Sequence, residues 1–495
     1  MKESPMLRRM RGTEPQKKKR LPKKGTIRAI LLVILVFTVA RTITTLPTFF
    51  SRPQEQTPDH IPSVGGEVVG IKKVSDKREK TESVTVSATV KKEKPQGPVT
   101  IPKIFNPRRD KTLSFEQVSK IVSLETFDVN QPVQKIPQGN DTLIFSLSID
   151  TVLQNLANRL MEQYKPKYGS AVALDPVSGR ILALSSFTNQ GEADRGPHLF
   201  SSSIFPAASI FKIVTAAAAL QSGGFTPQTT IPHVGRNNTL YMYQLERELR
   251  NYSNISLQTA FDRSINPIFA RMALYSLPKG ALVDYGHRFG FEKKLPFEFP
   301  VEKSKLVPPD TLFSVAATAS GFNRTTTLSP VHGALIAAAI SEDGHMPVPT
   351  VVDSVYSVSR DAGVFRGESK KWLDGVISPL TAKHLRELMI SVPVRGTART
   401  SFRYIRQSPR FNEFEYGGKT GNIGRLEIGR TEWFAGFARH PQNSDQRIAV
   451  AVVLTHDPEW TVRASFIAAE ILRIYMRNVQ DQAQELLVAE GESSD

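Results

Sequence analysis

A serine and a lysine three residues apart are the first candidates for chemistry, in Phe205-Pro-Ala-Ala-Ser209-Ile-Phe-Lys212-Ile-Val-Thr-Ala-Ala-Ala-Ala-Leu220. The stretch reads as a turn leading into an apolar, alanine-rich helix that Gly223-Gly224 ends. Ser209 falls in the first turn and Lys212 on the same face. A hydroxyl there has the helix N-terminus behind it, which favours negative charge developing on a substrate oxygen. A lysine buried against that turn has its ammonium destabilised, so the neutral amine can take the serine proton. Spacing alone does not decide the matter. Ser276-Leu-Pro-Lys279 repeats it, with a proline inside and no helix after it. Ser209 reads equally well as an ordinary N-cap of a buried helix.

Two later clusters favour the chemical reading. Ser264-Ile-Asn266-Pro267 lies in a helical middle region, and Lys419-Thr420-Gly421 follows Gly417-Gly418 just before a strand pair. Singly, Ser-x-Asn is a common turn and Lys-Thr-Gly reads as a strand end. In this order, each in its matching local context, they form a three-part pattern of serine acyl chemistry.

The elements that must position these residues begin near Thr142. Leu143 to Ile149 alternates as a strand, and Asp150 caps a helix running through Gln154 to Tyr164. Ser170–Leu174 and Ile181–Ser185 form a hairpin through Asp175-Pro-Val-Ser-Gly179. Thr431–Ala438 and Ile448–Leu454 read as a second strand pair, and Thr461–Asn478 has helical spacing. Strands at both ends enclose a mostly helical middle, from Ser209 to about Ser341. The fold expected is α+β: one antiparallel sheet flanked by helices, with an inserted all-helical subdomain.

Of the 495 residues, 40 % are apolar, which is ample for a large core. The net charge is +17, but Met1–Arg28 alone holds eleven Lys or Arg against Glu3 and Glu14. The rest forms no basic stripe and no recognised nucleic-acid-binding motif, which argues against a nucleic-acid partner. The chain has no cysteine, which excludes disulfides and thiolate chemistry, and its nine histidines show no metal-ligand spacing.

After the basic residues, Ala29–Ala40 carries no charge. Twelve residues suit the core of a signal peptide. With Arg41 snorkelling, however, Ile27–Leu46 reaches the roughly 20 residues of a spanning helix. The expected organisation is a cytoplasmic tail (1–26), a signal anchor (27–47) and a flexible linker (48–110). A short uninterpreted segment (111–140), the main domain (141–480) and a C-terminal tail (481–495) follow. The linker is rich in Pro, Lys, Glu and Ser and cannot bury enough apolar surface to fold alone, although Ser83–Val90 is suited to join a sheet edge. Under the positive-inside rule the main domain lies outside the cytoplasm.

From about Thr142 to Arg473 the chain resembles the transpeptidase domain of penicillin-binding proteins, a fold shared with serine β-lactamases. Beyond the three clusters, Leu147-Ser-Ile-Asp150, Leu174–Gly179, Ser329-Pro330, Gly344-His-Met346, Gly396-Thr-Ala398 and Trp433-Phe-Ala-Gly436 resemble recurrent stretches of that family. The resemblance implies a bacterial inner-membrane, single-pass enzyme with an extracytoplasmic domain that cross-links peptidoglycan stem peptides. Ser209 would be acylated by the terminal D-Ala-D-Ala unit and Lys212 would take its proton. Ser264 would relay a proton to the leaving group, and Asn266 would bind the acyl-chain amide. Lys419 and Thr420 of Lys-Thr-Gly421 would receive the substrate carboxylate, with Lys419 helping to keep Lys212 neutral. The backbone N–H groups of Ser209 and Asn422 would form the oxyanion hole. No cofactor or metal is implied. β-Lactams would be covalent inhibitors and a cell-wall synthesis complex a partner.

Three residues depart from the family's habit. Ala208 stands where glycine is frequent, Asn422 where Thr or Ser is usual, and Ile265 is bulkier than most middle residues of Ser-x-Asn. The region before Thr142 is too short for an attached glycosyltransferase domain, which implies a monofunctional type. A D,D-carboxypeptidase, a serine β-lactamase, a β-lactam sensor and an inactive scaffold remain as alternatives on the same fold. Neither Glu298 nor Glu302 is an evident deacylation base.

Overall fold

The structure is a computed structural model and describes residues 112–122, 127–189, 198–426 and 428–492. The tail, the anchor, the linker and Ser83–Val90 lie outside the described residues. Among the described residues no helix is long and apolar enough to cross a membrane.

The strands that build the two larger sheets are, in chain order, β1 (Val133–Gln138), β2 (Asp141–Leu147), β3 (Tyr168–Leu174), β4 (Ile181–Thr188), β5 (Val352–Ser357), β6 (Ala362–Arg366), β7 (Glu415–Leu426), β8 (Gly429–Arg439) and β9 (Arg447–His456). The main sheet runs β7-β8-β9-β3-β4 and every pairing in it is antiparallel. Both predicted strand pairs fall here. The turn between β3 and β4 is fixed by Asp175, whose Oδ1 accepts from Val177 N–H at 2.8 Å, as the side chain of an Asx turn does. The expectation of a single sheet needs correcting. The strand predicted at Leu143–Ile149 belongs to a separate sheet, ordered β1-β2-β5-β6. Its partners are β1, joined to β2 through the short Gly139-Asn140 turn, a local signal, and β5, which comes from far along the chain and which no local pattern announces.

Helices cover both faces of the main sheet, which is why β9 reads as a continuous apolar run rather than an alternation. On one face lie α1 (Thr151–Tyr164) and the C-terminal helix α8 (Ala464–Glu492), which continues past residue 480. Asp150 caps α1 as expected, accepting from Val152 and Leu153 N–H. Four further helices carry the site, α2 (Lys212–Ser222), α3 (Leu257–Asp262), α4 (Asn266–Tyr275) and α5 (Leu312–Ser320), and α6 (Pro330–Ser341) lies against the sheet. Helix α6 is buried on every side because it packs on β3, β8 and β9 and also against the helix Pro379–Arg395. The long helix α7 (Pro379–Arg395) packs on α2, α3 and β7. That contact explains Gly417: a methyl group there would come within 2.7 Å of the backbone of Met389 and Ile390.

Candidate active site

Ser209 sits in a 3-10 turn, Ala208–Phe211, that runs directly into α2. The turn is pinned from before and behind. Phe205 pairs with Leu328, Ala207 N–H donates to Thr326 O at 2.9 Å, and Trp433 Nε1 donates to Pro206 O at 2.9 Å. Ser209 is 9 % exposed and Lys212 fully buried. Lys212 Nζ lies 2.7 Å from Ser209 Oγ, 2.7 Å from Asn266 Oδ1 and 2.5 Å from the Ser320 carbonyl. That carbonyl is available because α5 ends there. Gly321 takes the left-handed conformation (φ 64°), Phe322 N–H closes back on Ala317 O, and Ser320 O is left to accept from Lys212.

The Ser-Ile-Asn corner joins α3 to α4. Ser264 adopts φ 55°, which is uncommon for a residue with a side chain, and Asn266 begins α4 with Pro267 behind it. Asn266 N–H donates to Asn237 O at 2.7 Å, so both ends of this residue are held. From the edge strand β7, Lys419 is fully buried and its Nζ donates to Ser264 Oγ and to Thr420 O, each at 3.0 Å. Thr420 Oγ1 lies 2.5 Å from Thr397 Oγ1. Gly421 runs beside Ala208 and Ile210, and Asn422 is exposed, paired across the ladder with Glu432.

The electrostatics follow from burial. Removal from water pushes the Lys212 ammonium well below the ordinary lysine value, and the like charge of Lys419 pushes it the same way. Burial also lowers Lys419, to about 7, with the nearby Asp262 carboxylate holding it up. Each amine faces an aromatic ring, Lys212 over Phe269 at 5.5 Å and Lys419 over Phe261 at 5.4 Å. A neutral Lys212 fits its surroundings. Two N–H groups serve Asn266 Oδ1 and Ser320 O, and the lone pair is left for the Ser209 proton.

Hydrogen bonds join Lys212 to Ser209 and Asn266, and Lys419 to Ser264 and Thr420, so the three clusters meet, with Gly421 passing beside Ala208 and Asn422 next to it on β7. The second Ser-x-x-Lys does not join them, since Ser276 and Lys279 are exposed at the end of α4. Glu298 is buried but serves Thr350 Oγ1 and the N–H groups of Val351 and Val352, while Glu302 accepts from Ser203 N–H. Neither contacts Ser209. The sequence reading missed Ser320, Gly321 and Asp262, and it named Thr397 only as part of a recurrent stretch. A glycine after an alanine-rich helix, and an acid two residues before Ser-Ile-Asn, were the only available signals.

Residues 169–477 match the family model of the penicillin binding protein transpeptidase domain. The chain therefore belongs to the penicillin-binding-protein transpeptidase family. Among curated relatives it is 25 % identical over 320 residues to the peptidoglycan D,D-transpeptidase PbpA of Mycolicibacterium smegmatis, covering 58 % of this chain and 62 % of that protein. The fold is similar to the crystal structure of the D,D-transpeptidase domain of a peptidoglycan glycosyltransferase from Eggerthella lenta (TM-score 0.55, 22 % identity, 68 % of this chain and 83 % of that one). It is also similar to the imipenem acyl-enzyme complex of penicillin-binding protein A from M. tuberculosis (TM-score 0.53, 23 % identity, 66 % and 78 %). The chain spans less than two thirds of the length of the M. smegmatis relative.

Proposed function

We propose that this protein is a peptidoglycan D,D-transpeptidase that works through an acyl-Ser209 intermediate. The observation that carries the reading is the buried Lys212, held 2.7 Å from Ser209 Oγ in a setting that favours the neutral amine. In this reading Lys212 takes the Ser209 proton as the oxygen attacks the carbonyl of the terminal D-Ala-D-Ala bond. Backbone N–H groups of Ser209 and Asn422 receive the oxyanion. Ser264 relays a proton: it gives its own to the departing D-alanine nitrogen as the C–N bond breaks and takes up the one held by Lys212, which is neutral again. Lys419, in contact with Ser264, favours that hydroxyl as a donor. Lys419 has three N–H donors and uses two within the protein, so one is free for the substrate carboxylate beside the Thr420 hydroxyl. An amine of a second stem peptide then resolves the acyl-enzyme.

Retention of the acyl group is supported by the surroundings of Ser209. Among the described residues no carboxylate is hydrogen-bonded to Ser209 or Lys212, so a water at the ester has no evident base for rapid hydrolysis. The membrane anchor at 27–47, with the transpeptidase domain on the outer side of the inner membrane, rests on the charge and hydropathy pattern of the sequence.

The test is labelling with a fluorescent penicillin. Wild type is expected to form a label that persists for minutes, and Ser209→Ala to form none while keeping its thermal unfolding transition. Label on folded Ser209→Ala removes the assignment. Release of label within seconds would favour a β-lactamase.

A further inference from the structure

Asp262 takes part in none of these steps, yet it is bonded to α7 and to the turn after it, beside Lys419 and Thr420. It ends α3, two residues before Ser264, with a side chain only 4 % exposed. Its carboxylate accepts from Gln258 Nε2 at 3.2 Å and Arg395 Nε at 2.8 Å, and it pairs with Ser391 Oγ. Its main-chain carbonyl accepts from Thr397 N–H at 3.0 Å. Thr397 in turn meets the Thr420 hydroxyl. One residue thus binds the corner that presents Ser264, the end of α7 and the turn facing Thr420.

We propose that Asp262 is the positioning residue of this half of the cleft, holding the Lys419 ammonium charged and the Thr397–Thr420 hydroxyl pair in place beside Ser264. The inference rests on the reading that Lys419 receives a substrate carboxylate. The charged groups facing Lys419 are few. Asp262 comes from α3, Lys212 from α2, and Arg395 from α7 acts through Asp262. The stretch of β8 paired around Lys419, Trp433–Phe437, brings no titratable side chain. Burial disfavours the ammonium, and Asp262 is the group that favours it. Arg395 reaches the same carboxylate from solvent, its side chain 62 % exposed, and competes for that charge. Removing Asp262 and removing Arg395 must then act on Lys419 in opposite directions. A merely structural role for the pair gives no such opposition.

The experiment measures, on the full chain, the second-order rate of Ser209 labelling by a fluorescent penicillin between pH 5.5 and 9. This rate reports ionisations of the free enzyme. For Asp262→Asn the alkaline limb is expected to move down by about one pH unit, making labelling at pH 8 roughly five- to tenfold slower. For Arg395→Gln the limb is expected to move up. Should Asp262→Asn fail to fold, Arg395→Gln decides alone, and a limb at or below that of wild type overturns the proposal. Coincident limbs in all three proteins overturn the role of Asp262 and leave the Ser209 assignment standing. Absence of Ser209-dependent label in wild type overturns the reading beneath it.

Discussion

Lys419 Nζ donates to Ser264 Oγ at 3.0 Å across 155 residues of sequence, joining the edge strand of the sheet to the corner between two helices. Both residues need the other. Ser264 is held in a strained backbone conformation, and Lys419 is buried where an ammonium without a partner is costly. The contact ties the sheet edge to the turn between α3 and α4, and it puts one positive charge within range of Lys212.

Lys419→Ala therefore has two expected effects. Labelling by penicillin falls by about a hundredfold, the scale for removing one preorganised charge at a reacting site. The acid limb of the remaining activity moves to higher pH, because removing a like charge raises the Lys212 value and Lys212 then stays protonated further up the pH scale. A rate–pH profile of labelling checks both, and an unchanged profile would refute the coupling of the two lysines.

Gly321→Ala tests how Ser320 O is presented. A methyl group there would meet Ala208 O at 1.9 Å and Ser209 N at 2.9 Å, at a φ that side chains disfavour. Left-handed backbone and overpacking together cost about 2–5 kcal/mol. Thermal unfolding is expected several degrees lower, with labelling of Ser209 slowed even at temperatures where the variant is folded. Wild-type stability with wild-type labelling would contradict the close approach.

Ala208→Gly addresses the departure noted before the serine. Ala208 has φ 48°, so the backbone there is one that glycine adopts more readily. The substitution is expected to retain labelling and to stabilise the fold by up to about 1 kcal/mol, relief of the left-handed strain outweighing the added freedom of the unfolded chain. A denaturant titration that shows clear destabilisation would refute the strain.

Glu432→Gln should change how stability depends on pH. Burial raises the Glu432 carboxyl from 4.5 to about 7, and Oε2 has no hydrogen-bond partner among the described residues. The folded state binds this proton more tightly than the unfolded chain. Its contribution is thus full below pH 4.5 and is lost as pH rises to about 7. The gap corresponds to roughly 3 kcal/mol. Unfolding measured at pH 5 and pH 8 is expected to show a smaller difference for Glu432→Gln than for wild type. Equal differences would mean that Glu432 is already ionised in the fold.

Much of the site was legible because its signals are local. The helix after Ser209, the turn chemistry of Asp175–Gly179 and the cap at Asp150 each depend on residues a few positions apart. The same locality explains the errors. That β2 belongs to a second sheet is not legible locally, because β5 reaches it from far along the chain, whereas the hairpin of β1 with β2 through Gly139-Asn140 is a local signal. Asp262 looked like any acid near a turn, because its partners Ser391, Arg395 and Thr397 lie on another helix and the loop after it.

The sequence by itself determined the set of candidates: Ser209 with Lys212, the Ser264–Asn266 corner and Lys419–Thr420, in that order. It left two Ser-x-x-Lys pairs of equal spacing. The helix after Ser209 and the two later clusters favour the first pair; tertiary structure adds that Lys212 is buried and Lys279 exposed. The reason is physical. An amine becomes a base at neutral pH only when it is taken out of water and set near another positive charge, and both conditions come from chain segments far away in sequence.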